Sequence, residues 1–390
     1  MTRVVINLRA LRHNLNTVDK WMQGSGAQWT LVTKVLCGHE ATLRALHNTG
    51  VQSMGESRLE NLRAIRSIAP EVETWYLRVP ALASISDVID LATVTLNTED
   101  ETIHALNEEA KRRGRIHRII IMIELGDLRE GILPGSLINF YNHIFQLDHI
   151  DVLGIGANLG CLAGAVPNVD QYMQLIMYRE LLELKFGQKL PFISAGTSAT
   201  LPLVLDGQLP EAVNHFRIGE AVFLGTDLVN GGLLPELRND VFTLEAEITE
   251  IKRKSLFSDV ETAEIGPFKK EYAEEFRPGQ RGYRALVNVG ELDTEVSGLI
   301  PENPNFHIAG ASSDVSVVNV GDSPGGLSVG DVMCFRMTYS ALVRIMANKY
   351  VDVDVEPSLK EYIALQDDEP EIPILPVLDC SETINEPGPK

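Results

Sequence analysis

The sequence predicts an α/β protein, a (β/α)8 TIM barrel followed by a β-rich C-terminal domain. Between about residues 30 and 225, eight short apolar runs alternate with longer amphipathic segments, the pattern of a parallel barrel wrapped in helices. A doubly wound sheet is the alternative, but no Gly-x-Gly-x-x-Gly opens a helix after the first run. After about residue 235 the long helical patterns stop, and alternating stretches separated by Gly, Asp and Pro take over.

The elements follow in order. "RVVINLRALRHNLNTVDKWM" reads as a strand and a helix ahead of the barrel, over residues 1–22, placed so that they can contact the second domain. The barrel runs are "WTLVTKVL", "VQSMG", "TWYLRV", "TVTLN", "IHRIIIMIEL", "IDVLGIGAN", "PFISAG" and "HFRIGEAVFL". Segments such as "SRLENLRAIRSI" and "TIHALNEEAKRRG" supply the helices between them. The barrel domain is set at residues 1–232. The β-rich domain, at 233–365, draws on "FTLEAEITEIKRKS", "YRALVNVG", "FHIAGASSDVSVVNVG" and "DVMCFRMTY". Residues 366–390 form a tail with five prolines and seven acidic residues, which cannot bury much surface.

Composition narrows the function classes. At 390 residues the chain is long enough for a large core and more than one domain. A formal net charge of −20 argues against nucleic acid or an anionic membrane as the main partner. No run of about 18 apolar residues is present, and the N-terminus lacks the apolar stretch of a secretory signal. Cys37, Cys161, Cys334 and Cys380 are scattered without a Cys-x-x-Cys, as expected of reduced thiols in a cytoplasmic protein with no metal site.

Polar residues fall where the barrel runs end, the face that carries chemistry in such folds. They are Lys34, Glu56, Arg78, Asn97, Arg129, Asn158, then Ser194, Thr197 and Ser198, then Arg217, Gly219 and Glu220. Singly, each has a plain structural reading. Lys34 could snorkel to solvent, Asn158 could form a turn, and "GTSAT" could merely cap a helix. Arg217 is hardest to dismiss, because it interrupts an apolar run. Together they point to a site. "GTSAT" and "RIGE" offer clustered N–H groups and hydroxyls suited to a phosphate beside the last two strands. A lysine near such a phosphate suits a Schiff base with an aldehyde cofactor, and pyridoxal 5'-phosphate fits.

With those residues in place, the sequence resembles the alanine racemase-type family of pyridoxal phosphate enzymes over nearly its whole length. "KVLCGH" resembles the family's lysine motif, one residue shorter and with Cys37 near the tyrosine position. "ELGDLREG" places Arg129 at the family's arginine, and "GTSAT" places Ser198 at its phosphate serine. "RIGE" places Arg217 at the arginine facing the pyridine nitrogen, and "MTYSALVRIMANKYV" places Tyr339 at a tyrosine that reaches the phosphate. The resemblance implies a homodimer whose active site is shared between subunits, with Lys34 as cofactor anchor and one acid/base. Cys37, Arg129, Asn158, Ser194, Thr197, Ser198, Arg217, Gly219 and Tyr339 would hold the cofactor.

The departures from the family concern the reaction. Glu291, with Asp293 nearby, stands where the family carries its second catalytic tyrosine. "SSDV" contributes Asp314, and Asn158 replaces the family's histidine. Glu291, Asp293 and Asp314 are therefore the candidates for the second acid/base that racemisation needs on the opposite face of Cα. "VTKVLCGH", "ESRLENL", "LGDLREGILP" and "GASSD" resemble the ornithine racemase branch, which implies a basic amino acid, ornithine or lysine, as substrate. Racemisation of alanine or another amino acid is the nearest alternative. Others are a D-amino-acid lyase or aldolase of the same fold, whose metal-binding His/Cys pair is not evident here, and a non-catalytic cofactor-binding protein.

Overall fold

The computed structural model describes residues 2–256 and 279–366; the acidic tail beyond residue 366, Cys380 included, lies outside the described residues. The chain opens with β1 (Thr2–Asn7) and α1 (Leu8–Gly24). Leu8, Leu11, Leu15, Val18 and Met22 are buried at spacings of three and four, the apolar stripe of a surface helix.

The barrel follows. Its strands are β2 (Gln28–Val32), β3 (Ser53–Glu56), β4 (Glu73–Tyr76), β5 (Val94–Asn97), β6 (His117–Met122), β7 (Ile150–Gly156), β8 (Phe192–Thr197) and β9 (His215–Ile218). Each pairs in parallel with the next, and β9 returns to β2 through Gln28↔His215 to Leu31↔Ile218, closing the ring. All eight predicted runs carry a barrel strand. The intervening helices are α2 (Glu40–Asn48), α3 (Leu59–Ile68), α4 (Ile85–Leu91), α5 (Asp100–Arg112), α6 (Leu137–Ile144), α7 (Val169–Phe186), α8 (Leu201–Leu205) and α9 (Glu220–Leu224). At the start of α7, Asn168 Oδ1 accepts from Gln171 N–H at 3.1 Å and Gln171 Oε1 accepts from Asn168 N–H at 3.1 Å. That reciprocal pair satisfies donors the first turn would otherwise leave open.

Strand β6 shows why its run is apolar without alternation. Ile119 and Ile121 join the cluster that includes helix residues Tyr141, Tyr172 and Leu175. Ile120 and Met122 join a separate cluster with Trp75, Leu96 and Phe192. Successive side chains point to opposite faces, and a barrel strand buries both. Gly154 is required by close packing of β7 on β8: a Cβ there would lie 2.0 Å from Phe192 O. Gly154→Ala is accordingly expected to destabilise the barrel by about 3 kcal/mol or more, since the obstacle is backbone. Thermal melting checks it, and an unchanged midpoint would contradict this packing.

The remaining strands are β10 (Phe242–Ser255), β11 (Arg281–Val287), β12 (Leu299–Pro301), β13 (His307–Ala311), β14 (Ser316–Gly321) and β15 (Val332–Met337). They are followed by α10 (Tyr339–Met346), β16 (Asp352–Glu356) and α11 (Leu359–Gln366). The sheet runs β12-β15-β10-β11-β14-β13, and β1 joins it between β10, antiparallel, and β16, parallel. Phe242, Leu244, Ala246 and Ile248 on β10 are buried with less buried residues between them, the period of two of a sheet with one core face. Two compact units result: Arg12–Lys34 with Leu43–Leu237, which contains the barrel, and Met1–Leu11, Val35–Thr42 and Arg238–Tyr362, which contains this sheet. Among the described residues no helix is long and apolar enough to cross a membrane.

Candidate active site

Lys34 begins a short 3-10 turn immediately after β2 and is half-buried. Burial holds its ammonium below the ordinary lysine value; nearby Arg129 and Arg217 push the same way, and Glu56 opposes them. Glu56 ends β3 and is almost wholly buried. It accepts from Ser57 N–H at 2.9 Å, Asn61 Nδ2 at 3.2 Å and Thr33 Oγ1 at 3.4 Å. Burial raises its carboxyl above the usual carboxylate range despite those bonds. Burial likewise raises Glu220, at the start of α9, and Lys34 counteracts it. A partly desolvated amine close to carboxyls of raised pKa is a setting in which protons move readily near neutral pH.

On β9, the strand paired with β2, Arg217 stands opposite Thr30 and is buried. Its Nη2 donates to Ala157 O at 2.8 Å and Asn158 Oδ1 at 2.9 Å. Burial pushes this guanidinium down to about 10, so it keeps its charge at neutral pH. The Asn158 Nδ2 donates to Glu130 Oε1. Glu130 also accepts from Arg129, through Nη2 at 2.7 Å and through Nε. The loop that presents this pair is shaped by Glu124, which accepts from the N–H groups of Gly126, Leu128 and Arg129. Asp127 joins it to the next loop by accepting from Cys161 and Leu162 N–H at 2.9 and 2.8 Å.

Beside the last two strands a small cradle is formed. Ser198 Oγ accepts from Gly219 N–H at 3.4 Å and Ala221 N–H at 3.2 Å. Thr197 Oγ1 is buried without a hydrogen-bond partner among the described residues. Gly219 leaves no space for a side chain, since a Cβ would stand 2.9 Å from Val32 O. Ser194 lies one register below: it bonds His215 Nδ1 at 2.8 Å, and His215 Nε2 bonds Thr30 Oγ1 at 3.1 Å. His215 stacks on Trp75 with ring centroids 4.3 Å apart, and burial lowers it to about 3, so it is neutral.

The other expected residues belong to the second unit. Leu292 and Glu291 donate backbone N–H groups to Ser313 O and Ser312 O, both at 3.0 Å. This pairs the loop of Glu291 and Asp293 with the loop of Asp314. Asp293 is engaged there, accepting from Gly290 N–H at 2.9 Å and Asn348 Nδ2 at 3.3 Å. Glu291 is half-buried and Asp314 exposed. Tyr339 is half-buried at the first residue of α10. Cys37 has φ of 48° and Gly38 of 78°, consecutive left-handed residues that turn the chain out of the Lys34 segment. Of the remaining strand-end residues, Asn97 is buried and bonded to Thr95, while Arg78 is exposed.

Sequence does not single out Glu130 or Glu124. The signal available was a run of three acidic residues around Arg129, which reads equally well as a solvated loop.

This arrangement, a closed parallel barrel with a half-buried lysine at one strand end and a hydroxyl-lined N–H cradle at the ends of the last two strands, defines a class. Alanine racemase, N-terminal domain, matches residues 6–227, and the chain belongs to that family. An ornithine racemase of Acetoanaerobium sticklandii is 32% identical over 354 residues, 90% of this chain and 99% of the relative. A lysine racemase of Thermotoga maritima is 31% identical over 360 residues, 92% of this chain and 99% of the relative. Among solved structures, alanine racemase from Corynebacterium glutamicum superposes with a TM-score of 0.69 at 18% identity, covering 91% of this chain and 99% of that one. At that identity it speaks for the fold alone.

Proposed function

We propose that this protein is a pyridoxal phosphate-dependent racemase of a basic amino acid, ornithine or lysine. The observation that carries the reading is the pair of relatives named for those two reactions, matched over nearly their full lengths. The barrel residues fit the cofactor. The buried Thr197 hydroxyl, without a hydrogen-bond partner among the described residues, and the Ser198 hydroxyl against two backbone N–H groups suit a phosphate. Lys34 supplies the amine that would carry it, Gly219 the close backbone approach, and Arg217 a guanidinium for the ring nitrogen. Tyr339, Cys37, Asn158 and Ser194 complete the expected cofactor set, Asn158 through Arg217 and Ser194 from the register below.

When bound, pyridoxal phosphate spreads the electron pair left at Cα when its proton is removed. The chain's residues do the rest. Lys34, freed by substrate, takes or returns the Cα proton on one face, helped by the burial that keeps its amine less basic than a surface lysine. Arg217 keeps its own protons and so donates none to the ring. Arg129 orients the substrate carboxylate or the ring hydroxyl. A second acid/base serves the other face. Asp293 already accepts two hydrogen bonds within its loop, so Glu291 and Asp314 are the better candidates, and their charge suits a cationic side chain. The site is shared between the two subunits of a homodimer. Cys161 and Cys334 are free thiols, which supports a cytoplasmic location.

The test is incubation of the purified protein with single L- and D-amino acids in deuterated water. Optical rotation and deuterium at Cα are then followed. The expected result is racemisation of ornithine or lysine with deuterium gained from either enantiomer. Glu291→Gln is expected to slow exchange from one enantiomer by about 100-fold while sparing the other, if Glu291 is the second base. Equal loss from both enantiomers, or none, moves that role to Asp314. Cleavage of the substrate instead of racemisation would overturn the proposed reaction.

A further inference from the structure

We infer that Glu130 is a positioning residue that joins the two guanidiniums at the barrel mouth, Arg129 and Arg217, into one unit by orienting the amide of Asn158. The inference rests on the cofactor-binding reading above and adds a residue to it. Asn158 has one donor end and one acceptor end, and two arrangements of its amide are possible. Arg217 offers it an N–H, at 2.9 Å from Oδ1, and Glu130 offers it a carboxylate oxygen facing Nδ2. Turned over, the amide would set N–H against N–H and oxygen against carboxylate. Only one orientation satisfies both neighbours, and Glu130 supplies half of that constraint.

The same carboxylate restrains Arg129. It receives Nη2 and Nε of that guanidinium, a two-pronged contact with more directional hold than a single bond. The Glu130 side chain is 18% exposed and that of Arg129 40%, so the carboxylate is the inner partner. Asp127 stands farther off, at 3.8 Å from Arg129 Nε. Without Glu130, Arg129 would be free to follow Asp127 or solvent. Asn158 would keep only the Arg217 end of its constraint. Three cations face this mouth, Lys34, Arg129 and Arg217, and Glu130 is the carboxylate that bonds to the network linking two of them. Its contribution is therefore to geometry and to charge balance, without contact with the reacting atoms.

Two substitutions separate these roles. Glu130→Gln keeps an oxygen for Asn158 Nδ2 but sets an amide N–H toward Arg129. Glu130→Ala removes both partners. The experiment titrates pyridoxal phosphate into wild type, Glu130→Gln, Glu130→Ala, Asn158→Ala and the double alanine variant. Four readouts are followed: the dissociation constant, the circular dichroism of the bound cofactor, borohydride trapping on Lys34 read by mass spectrometry, and KM for ornithine and lysine. Thermal melting of each variant controls for folding.

The expected result for Glu130→Ala is attachment to Lys34 with affinity about tenfold weaker, as for a lost charge-assisted hydrogen bond, and altered cofactor dichroism. In Glu130→Gln the dichroism returns toward wild type, while KM for the amino acid stays raised because Arg129 is loose. The Glu130→Ala and Asn158→Ala losses are expected to be non-additive, since the two residues act through one bond. Additive losses, or a Glu130→Ala protein with wild-type affinity and dichroism, overturn the inference while leaving the cofactor reading intact. So does a variant altered in melting alone. A wild-type protein in which Lys34 stays unmodified overturns the cofactor reading and this inference with it.

Discussion

Lys34→Ala is expected to abolish both cofactor attachment and turnover, with kcat lowered at least about 10^4-fold, while the barrel stays folded. The fold should survive because Lys34 lies beyond the last residue of β2, in a 3-10 turn whose buried members are Val35 and Leu36. Its ammonium is also a group that burial disfavours, so its removal takes away a destabilising charge. The sign of the pH effect follows. In the folded protein Lys34 releases its proton at a lower pH than in the unfolded chain. Wild-type stability therefore gains with rising pH between those two pKa values, and Lys34→Ala lacks that gain. Capture of pyridoxal phosphate by wild type should persist to lower pH than capture by exposed lysines, because more of the Lys34 amine is neutral there. Borohydride trapping followed by peptide mass spectrometry, run across pH, checks both statements. Trapping at Lys34 that disappears at the same pH as trapping at surface lysines would contradict the desolvated amine, and an active Lys34→Ala enzyme would sink the assignment.

How much of this was readable from the chain differs by level. The barrel strands were legible because each is a short run bounded by breakers, and β6 carries four apolar residues in a row, from Ile119 to Met122, a pattern satisfied only with both faces covered. Strand-end chemistry was legible at Lys34 and Arg217, because a cation inside an apolar run is costly without a task. Partnership was not legible. Glu130 is one of several charges in "ELGDLREG", and nothing local distinguishes the carboxylate that meets Asn158, 28 positions away, from Glu124, which only shapes its own loop. Ser194 and Ser198 sit in the same small-residue stretch, yet the strand's register sends Ser194 to His215 and leaves Ser198 beside Gly219. The pairing of β1 with β10, Thr2 opposite Ala246, depends on contacts across most of the sequence, which a local pattern cannot encode.

Arg217→Ala is the second large effect, and it should appear in stability and chemistry together. Removing a buried guanidinium leaves Ala157 O and Asn158 Oδ1 without their donor, at roughly 1–3 kcal/mol for each buried acceptor left unsatisfied. For a barrel unit of this size that corresponds to a fall of several degrees in melting temperature, about 2–4 °C per kcal/mol. The chemical effect has a separate origin. With its ionisation pushed down only to about 10, Arg217 is protonated in all but about one molecule in a thousand at pH 7. It therefore offers hydrogen bonds and positive charge while giving up no proton, and in the proposed site it would leave the cofactor's ring nitrogen unprotonated. That would limit how far charge withdraws from Cα and would favour prompt return of the proton to Cα over its delivery to the cofactor. Alanine at this position admits water, which can protonate the nitrogen. The expected outcome is a kcat about 10^2-fold lower and a higher proportion of keto acid relative to racemised product, measured by chiral chromatography beside a keto-acid assay. Arg217→Lys is the informative companion. An ammonium restores charge but presents a single point of donation, so it should recover part of the stability. It can also release its proton, so the keto-acid fraction should stay above wild type. If both variants lose rate but keep the wild-type product ratio, Arg217 acts on the position of Asn158 and its partners alone, and control of the ring nitrogen lies elsewhere.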